Sequence, residues 1–237
     1  MTLLPIVARE LRVASRRPVT YWVRSGAALV ILVLGVWFFL MMTMRGESSR
    51  QIAQGLFWFM TFGAVFYCLL SGVWFTADCL SREKREGTLG LLFLTDLKGY
   101  DVVLGKLAAS SVNCLYAALA LVPMLALPIL MGGVALGEFA RMALVLVNTL
   151  LFSLALGMAV SALSRSSRVA MAITFLLLLF FTGLLPVLGL WHADATGSRE
   201  IGRGWLVASV GFGATRAPDL IYNARPHEFW WSVAVLH

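Results

Sequence analysis

Charged side chains are scarce in this sequence. Only 13% of its 237 residues are Asp, Glu, Lys or Arg, whereas 60% are hydrophobic; soluble domains typically have about 25% charged residues. This composition excludes an ordinary soluble domain and indicates a membrane protein. Cysteine is also rare, because Cys68, Cys79 and Cys114 are the only three, and they show neither a disulfide framework nor metal-ligand spacing.

Catalytic signatures are missing as well. The sequence has no HExxH, GxSxG or CxxC motif, and no ionisable residue lies in the middle of an apolar segment. Residues 99–106 (GYDVVLGK) resemble a phosphate-binding loop, but five residues rather than four separate the glycines, and Leu107 replaces the magnesium-binding Ser or Thr. His192 and Asp194 lack a third ligand. We therefore expect this chain to bind no metal or cofactor and to be no enzyme.

Five segments are apolar and long enough to cross a bilayer, whose hydrocarbon core needs about 20 residues of helix. Because backbone groups inside lipid must be satisfied within the segment, each segment should be helical. The predicted spans are residues 26–44, 55–75, 107–131, 142–162 and 169–190. We therefore predict an all-α polytopic membrane protein, a helical bundle in which residues 1–237 form one transmembrane domain.

Residues 1–24 precede the first span and have the pattern of an amphipathic helix. Apolar side chains recur with helical spacing from Leu3 to Ala14, and Arg9, Arg12 and Arg16 fall on the opposite face. Such a helix lies on a membrane surface. A cleaved signal peptide is the alternative, but the apolar segment is too long and lacks a small-residue cleavage pattern.

The chain beyond the fifth span has a different composition. Residues 191–228 are rich in glycine and proline, and their one apolar piece, residues 205–212, is too short to cross a bilayer. We expect an external segment with an interfacial or re-entrant element. Residues 229–237 resemble the start of a sixth span, but nine residues cannot complete one. We expect a truncated sixth helix from a longer reading frame, with an interfacial position as the alternative.

Positive charge is distributed unevenly between the connecting segments. The formal net charge is +7, but Arg and Lys concentrate before the first span, in residues 78–106 and in the turn after the fourth span. The turns between these segments carry few. By the positive-inside rule, the N-terminus and the 78–106 loop face the cytoplasm of an inner or plasma membrane. The charges therefore indicate a multi-pass protein among membrane lipids rather than a nucleic-acid partner.

The fourth span has a row of small residues. Ser153, Gly157 and Ser161 recur every four residues and share one helix face. Small side chains let a second helix approach closely in a membrane. The row predicts a packing seam, either within the chain or across a dimer.

The longest polar interruption between spans, residues 78–106, contains an apolar centre. A charged run at residues 82–86 precedes GTLGLLFL, in which Leu89, Leu92 and Phe93 have i, i+3, i+4 spacing. Charges around an apolar anchor are typical of a protein-docking element. A helix that lies in the membrane interface is an equally good interpretation of the composition.

The same stretch carries a recognisable motif. Residues 86–106, EGTLGLLFLTDLKGYDVVLGK, resemble without gaps the signature of ABC-2 type transporter permeases. The matching residues are the charged run Arg82, Glu83, Lys84, Arg85 and Glu86, the core Gly87, Thr88, Leu89, Leu91 and Leu92, and the closing Leu104, Gly105 and Lys106. Gly90 stands where an acidic residue is common, and Asp96 stands where proline is frequent.

This resemblance implies the permease subunit of an ATP-driven exporter, which forms the translocation path but holds no nucleotide. ATP and Mg²⁺ would bind to separate cytoplasmic ATPase subunits, and a second permease, identical or different, would complete the complex. A coupling helix within residues 82–95 would transmit the ATPase motion. The resemblance assigns coupling to Arg82, Glu83, Arg85, Glu86, Gly87, Thr88, Leu89, Leu92 and Phe93, with Leu104, Gly105 and Lys106 as the motif end.

Two other functions fit less well. A membrane-embedded enzyme or assembly factor with a regulatory cytoplasmic loop would need buried polar groups, which the spans lack. Half of a secondary transporter would show an internal repeat, and the sequence shows none.

Overall fold

The structure, a computed structural model, describes residues 12, 18–77, 79–81, 99–119, 122–164, 166–195 and 209–235, and no strand occurs among them. The α-helices are α1 (Pro18–Met44), α2 (Ser49–Ser71), α3 (Gly99–Leu119), α4 (Val122–Leu130), α5 (Leu136–Leu163), α6 (Ser167–Leu179), α7 (Leu185–Ala195), α8 (Val210–Arg216), α9 (Asp219–Tyr222) and α10 (Pro226–Val235). These helices confirm the predicted all-α class.

Two short π-helical segments interrupt the longer helices. The first, Gly72–Thr76, continues α2, and the second, Phe180–Leu184, joins α6 to α7. At the end of the first segment, the Ala77 amide donates to the Gly72 carbonyl at 3.1 Å, the i→i+5 bond of a π turn. Single π turns inside α-helices are frequent at functional sites.

A tight turn joins α1 to α2. Gly46 has a φ of 73°, a left-handed conformation that glycine adopts without strain. Ser48 then forms a capping box with Gln51, because its hydroxyl accepts from the Gln51 amide at 3.4 Å while its own amide donates to the Gln51 side chain at 3.1 Å. This reciprocal cap starts α2 immediately after the turn.

Among the described residues, three helical stretches are long and apolar enough to cross a membrane: Ser49–Ser81, Leu136–Leu163 and Ser167–Gly189. Two shorter apolar helices, Ala28–Met44 and Val103–Leu119, correspond to the predicted first and third spans. The chain is therefore a multi-pass membrane protein by helix length and composition, and a total of five spans remains a prediction.

The first helix begins earlier than predicted. α1 is continuous from Pro18 to Met44, so residues 18–24 are helical together with the predicted first span at residues 26–44. The surface helix over residues 1–24 stays a prediction. The other residues of the predicted surface helix, except Arg12, lie outside the described residues.

The third span also differs from its predicted bounds of 107–131. Residues 99–106 form two helical turns of α3 where we predicted part of the 78–106 loop, and residues 122–130 are helical as α4, with residues 120 and 121 outside the described residues.

The chain after residue 190 is more helical than predicted. α7 extends the fifth span to Ala195, and α8 and α9 lie within the predicted external segment 191–228. The predicted sixth helix, residues 229–237, begins earlier, because α10 starts at Pro226. Its Phe229 is fully buried and packs in one cluster with Phe57 of α2 and Met142 of α5.

The central element of the bundle is α5. It packs against α2, the first π segment, α3, α6 and α8. Its buried side chains include Met142, Leu150, Leu154 and Met158, each at most 2% exposed. The position of every neighbouring helix therefore depends on the side chains of α5.

Arg141, near the start of α5, holds the C-terminal helices in place. Its Nε donates to the Ala217 carbonyl at 2.8 Å, and its guanidinium forms an ion pair with Asp219. The same guanidinium lies 4.1 Å from the centre of the Tyr222 ring, within cation–π range. One side chain thus contacts residues 217–222, the short connection after α8 together with α9, in three ways.

Replacing Arg141 by methionine should loosen this attachment. The Arg141→Met variant keeps most of the apolar stem but leaves Asp219 and the Ala217 carbonyl without their donor, a loss of about 1 to 3 kcal/mol. We expect faster amide hydrogen exchange across residues 209–222. Arg50→Met, at an exposed position of α2, is the matched control. Unchanged exchange in Arg141→Met would contradict the clamp.

Candidate coupling site and helix seam

The predicted coupling residues, Arg82, Glu83, Arg85, Glu86, Gly87, Thr88, Leu89, Leu92 and Phe93, lie outside the described residues. The structure does describe both flanks of this loop. On one side the chain is helical at residues 79–81, and on the other side α3 begins at Gly99. The contacts that hold these two flanks show how the loop is joined to the helix bundle.

The motif end lies in the second turn of α3. Gly105 and Lys106 are buried, whereas Leu104 is 48% exposed. α3 packs against α5 and the first π segment. The end of the motif is thus part of the helix bundle and not a free connection.

Ser153 joins α5 to α2 through its hydroxyl group. The Ser153 Oγ donates to the Leu69 carbonyl at 2.6 Å and accepts from the Gly72 amide at 3.0 Å. Gly72 is the first residue of the π segment. Here the α-helical bonds of α2, from N–H of residue i to C=O of residue i−4, change to π-helical bonds, from N–H of residue i to C=O of residue i−5. The serine supplies both a donor and an acceptor at this irregularity, and backbone groups inside a bilayer need such protein partners.

Gly157 lies one turn further along α5 and allows the two helices to touch. A Cβ atom at position 157 would collide with the Thr76 hydroxyl and the Gly72 carbonyl. In the same way, a Cβ at position 72 would collide with the backbone of Ser153. Both glycines are required by this close approach. Thr76 uses its hydroxyl within its own helix, where it donates to the Gly72 carbonyl at 2.8 Å.

Ser161 lies a further turn along α5, where the chain leaves α2 for the loop. Its Oγ accepts from the Leu80 amide at 2.9 Å and from the Ser81 amide at 3.1 Å. All three atoms belong to buried residues. The residue immediately before the predicted coupling segment is thus bonded to α5.

Ser153, Gly157 and Ser161 together form what we call the seam, the face of α5 against residues 69–81. The sequence left open whether this face packs within the chain or across a dimer. In the structure it packs within the chain. The π segment on the other side of the seam had no sequence signal beyond its small residues, Gly72 and Thr76.

The described residues offer no metal site. No cluster of three or more His, Cys, Asp or Glu side chains occurs among residues 12, 18–77, 79–81, 99–119, 122–164, 166–195 and 209–235. Cys68 and Cys114 are buried in one apolar cluster with Leu150 and Leu154, as expected for cysteines that serve packing.

Comparison with protein families identifies the chain. Residues 22–215 match the family model described as ABC-2 family transporter protein. The chain belongs to the ABC-2 transporter family. A search of curated proteins found no match.

The match agrees with the resemblance seen in the 86–106 motif and covers the loop, the seam and every helix from α1 to most of α8. An ABC-2 membrane domain is a transport subunit rather than an enzyme. This ABC-2 protein is accordingly the permease of an ABC-type transporter, and the three membrane-length helices are part of its membrane domain.

Enlarging Gly157 should destabilise the permease. Gly157→Val forces a side chain into Thr76 and the Gly72 carbonyl, and overpacking of this kind costs about 1 to 3 kcal/mol or more. We expect a lower unfolding temperature in detergent. Ala159→Val adds the same residue two positions away on an exposed face and should have little effect. Equal stability of the two variants would contradict the close approach.

Proposed function

We propose that this permease is the membrane subunit of an ATP-driven exporter and is coupled to separate cytoplasmic ATPase subunits through residues 82–95. ATP and Mg²⁺ would bind to the partner ATPases, and this chain would hold neither. Support comes from three sources: the family match over residues 22–215, the ungapped motif at residues 86–106, and the contacts at both ends of the loop.

The observation that carries the proposal is the anchoring of the loop to the bundle. At its start, the Leu80 and Ser81 amides are bonded to Ser161 of α5. At its end, Gly105 and Lys106 are buried within α3, which packs against the same helix. A displacement of the loop by a partner would therefore reach α2, α3 and α5 together.

The seam supplies a path by which such a displacement reaches the centre of the membrane domain. Ser161, Gly157 and Ser153 contact successive turns of residues 69–81, from the loop end to the π segment. Packed helices transmit shifts as rigid bodies, because their interiors have few voids to absorb them. In this proposal, the ATPase pushes the loop, and α2 and α5 move as one unit.

The composition of the loop suggests how the ATPase would bind. Leu89, Leu92 and Phe93 would insert as an apolar anchor, and the charges of residues 82–86 would surround it. Interfaces commonly combine a desolvated apolar centre with a polar rim. Gly90 provides no charge at the position where relatives often have one, so the apolar anchor should carry most of the affinity.

The complex would contain two ATPases and a second permease, either identical to this chain or different. The membrane domain has large exposed apolar faces that such a partner and the surrounding lipid would cover. Examples are Trp37 of α1, 54% exposed, and Leu176 of α6, 63% exposed. The distribution of Arg and Lys supports an N-terminus and an 82–95 loop on the cytoplasmic side.

The coupling assignment is tested by copurification with the partner ABC ATPase, which we expect to be encoded in a neighbouring reading frame. Leu89→Asp with Leu92→Asp should weaken binding by at least about 100-fold, since each buried anchor contributes roughly 2 kcal/mol or more. Leu89→Met with Leu92→Met keeps an apolar face and should still copurify. Undiminished association of the aspartate variant would overturn the assignment.

The proposed orientation is tested by cysteine labelling in intact cells. In a background without Cys68, Cys79 and Cys114, single cysteines replace Ser48 and Ser166, which are both exposed and lie at opposite ends of the spans. A membrane-impermeant maleimide should label Ser48→Cys in intact cells and Ser166→Cys only after permeabilisation. The reverse pattern would place the loop outside and contradict coupling to a cytoplasmic ATPase.

A further inference from the structure

A second feature of the membrane domain lies away from the seam. A cavity of about 320 Å³ opens between α2, the second π segment with the start of α7, and the chain around α8. Trp58 and Thr61 line it from α2, Thr182 lines it from the π segment, and Ser209 and Gly211 line it from the chain at α8. This volume far exceeds the space of one water molecule and lies within the range of small-ligand sites.

Two hydroxyl groups on the cavity wall are buried without a hydrogen-bond partner in the described part of the chain. They belong to Thr61, 2% exposed, and Ser209, 1% exposed. A buried hydroxyl without a partner is unfavourable, and native proteins seldom leave one without a role. Two on the wall of one cavity indicate a ligand that would complete their hydrogen bonds.

Thr61 differs from the other buried threonines of the spans. Thr149 and Thr174 each donate to the carbonyl four residues earlier, at 2.8 Å in both cases. This intrahelical bond is the usual way to satisfy a threonine in a membrane helix. Thr61 makes no such bond, so both the donor and the acceptor capacity of its hydroxyl are unused.

Ser209 is unusual for a similar reason. It occupies the position before α8, where a serine hydroxyl usually caps the helix by accepting from a backbone amide. Here the side chain makes no capping bond. By contrast, Thr182 and Thr215 on the same wall donate to backbone carbonyls, at 2.6 and 2.8 Å, and each retains only acceptor capacity.

The remaining wall limits the chemistry of the occupant. The described lining residues include no Asp, Glu, Lys, Arg or His. Most of the other side chains on the wall, such as Trp58, Phe62 and Pro186, are apolar. A charged ligand would lose its hydration without gaining a counter-charge. An uncharged molecule with an apolar body and one or two hydrogen-bonding groups suits both the apolar, uncharged wall and the two hydroxyls that lack partners.

We propose that this cavity is a binding site for a neutral amphipathic molecule, whose alkyl body packs against the apolar wall and whose hydroxyl or ester group bonds to Thr61 and Ser209. The π segment at Thr182 widens the α6–α7 helix on one side of the site, as π turns often do where helices bind ligands. The described lining residues belong to α2, the second π segment, the start of α7 and the chain around α8, and the proposal does not rest on coupling to an ATPase.

Photolabelling of the full chain in nanodiscs tests this site. The probe is dodecanol that carries a diazirine in its chain, and unlabelled dodecanol is the competitor. We expect saturable labelling of peptides from residues 58–65 and 209–215. Dodecanoate and dodecyltrimethylammonium, compared at equal mole fraction in the bilayer, should compete more weakly than dodecanol because the wall lacks charge.

Three variants make the test specific. Thr61→Val and Ser209→Ala each remove one hydroxyl. In each variant, about five times more unlabelled dodecanol should be needed to compete with the probe. Thr174→Val, which removes a buried hydroxyl outside the cavity, should leave competition unchanged. Gly211→Leu should abolish saturable labelling by filling the cavity, because a Cβ there meets nothing closer than the Ser209 Oγ at 3.9 Å.

Gly26→Leu, at a position in α1 with nothing within 4 Å of the added Cβ, is the matched control for that substitution. The proposal is overturned if unlabelled dodecanol fails to compete, if labelling in Gly211→Leu equals that in Gly26→Leu, or if dodecanoate competes as well as dodecanol. Saturable labelling that maps only to other helices overturns it as well.

Discussion

The membrane domain depends on hydroxyl-to-backbone hydrogen bonds between α5 and the helix of residues 49–81. Inside a bilayer, the hydrophobic effect does not draw helices together, so close backbone approach and polar contacts must do so. Ser153 and Ser161 provide these contacts at the two ends of the seam, and Gly157 removes the side chain that would separate the helices. α5 also packs against α3, α6 and α8, so this pair lies at the centre of the described bundle.

This arrangement gives a physical basis for the link between an energy-supplying partner and the membrane helices. The seam contact at Ser161 holds Ser81, the last described residue before the loop, and the contact at Ser153 holds Gly72 of the π segment. A π turn is a local irregularity that neighbouring side chains must stabilise, because it leaves backbone groups without regular partners. A shift at the loop would therefore act directly on the least regular part of α2.

Much of this fold could be predicted from the sequence, because bilayer thickness sets helix length and apolar segments reveal it. The spacing of Ser153, Gly157 and Ser161 also identified the packing face of α5. The helical conformation of residues 99–106 could not be predicted, since Asp101 and Lys106 suggested a loop although both are tolerated in a helix. The π segments and the meeting of Thr61 with Ser209 at one cavity depend on tertiary contacts, which no local pattern encodes.

The most direct measurement is hydrogen exchange of the complete transporter in nanodiscs, with and without ATP, Mg²⁺ and vanadate to trap the closed ATPases. We expect amide protection to change together at residues 79–81 and 69–76, while α1, at the edge of the bundle, changes little. Trapping that alters the ATPases but leaves both seam peptides unchanged would contradict the claim that the loop drives α2 and α5 through the seam.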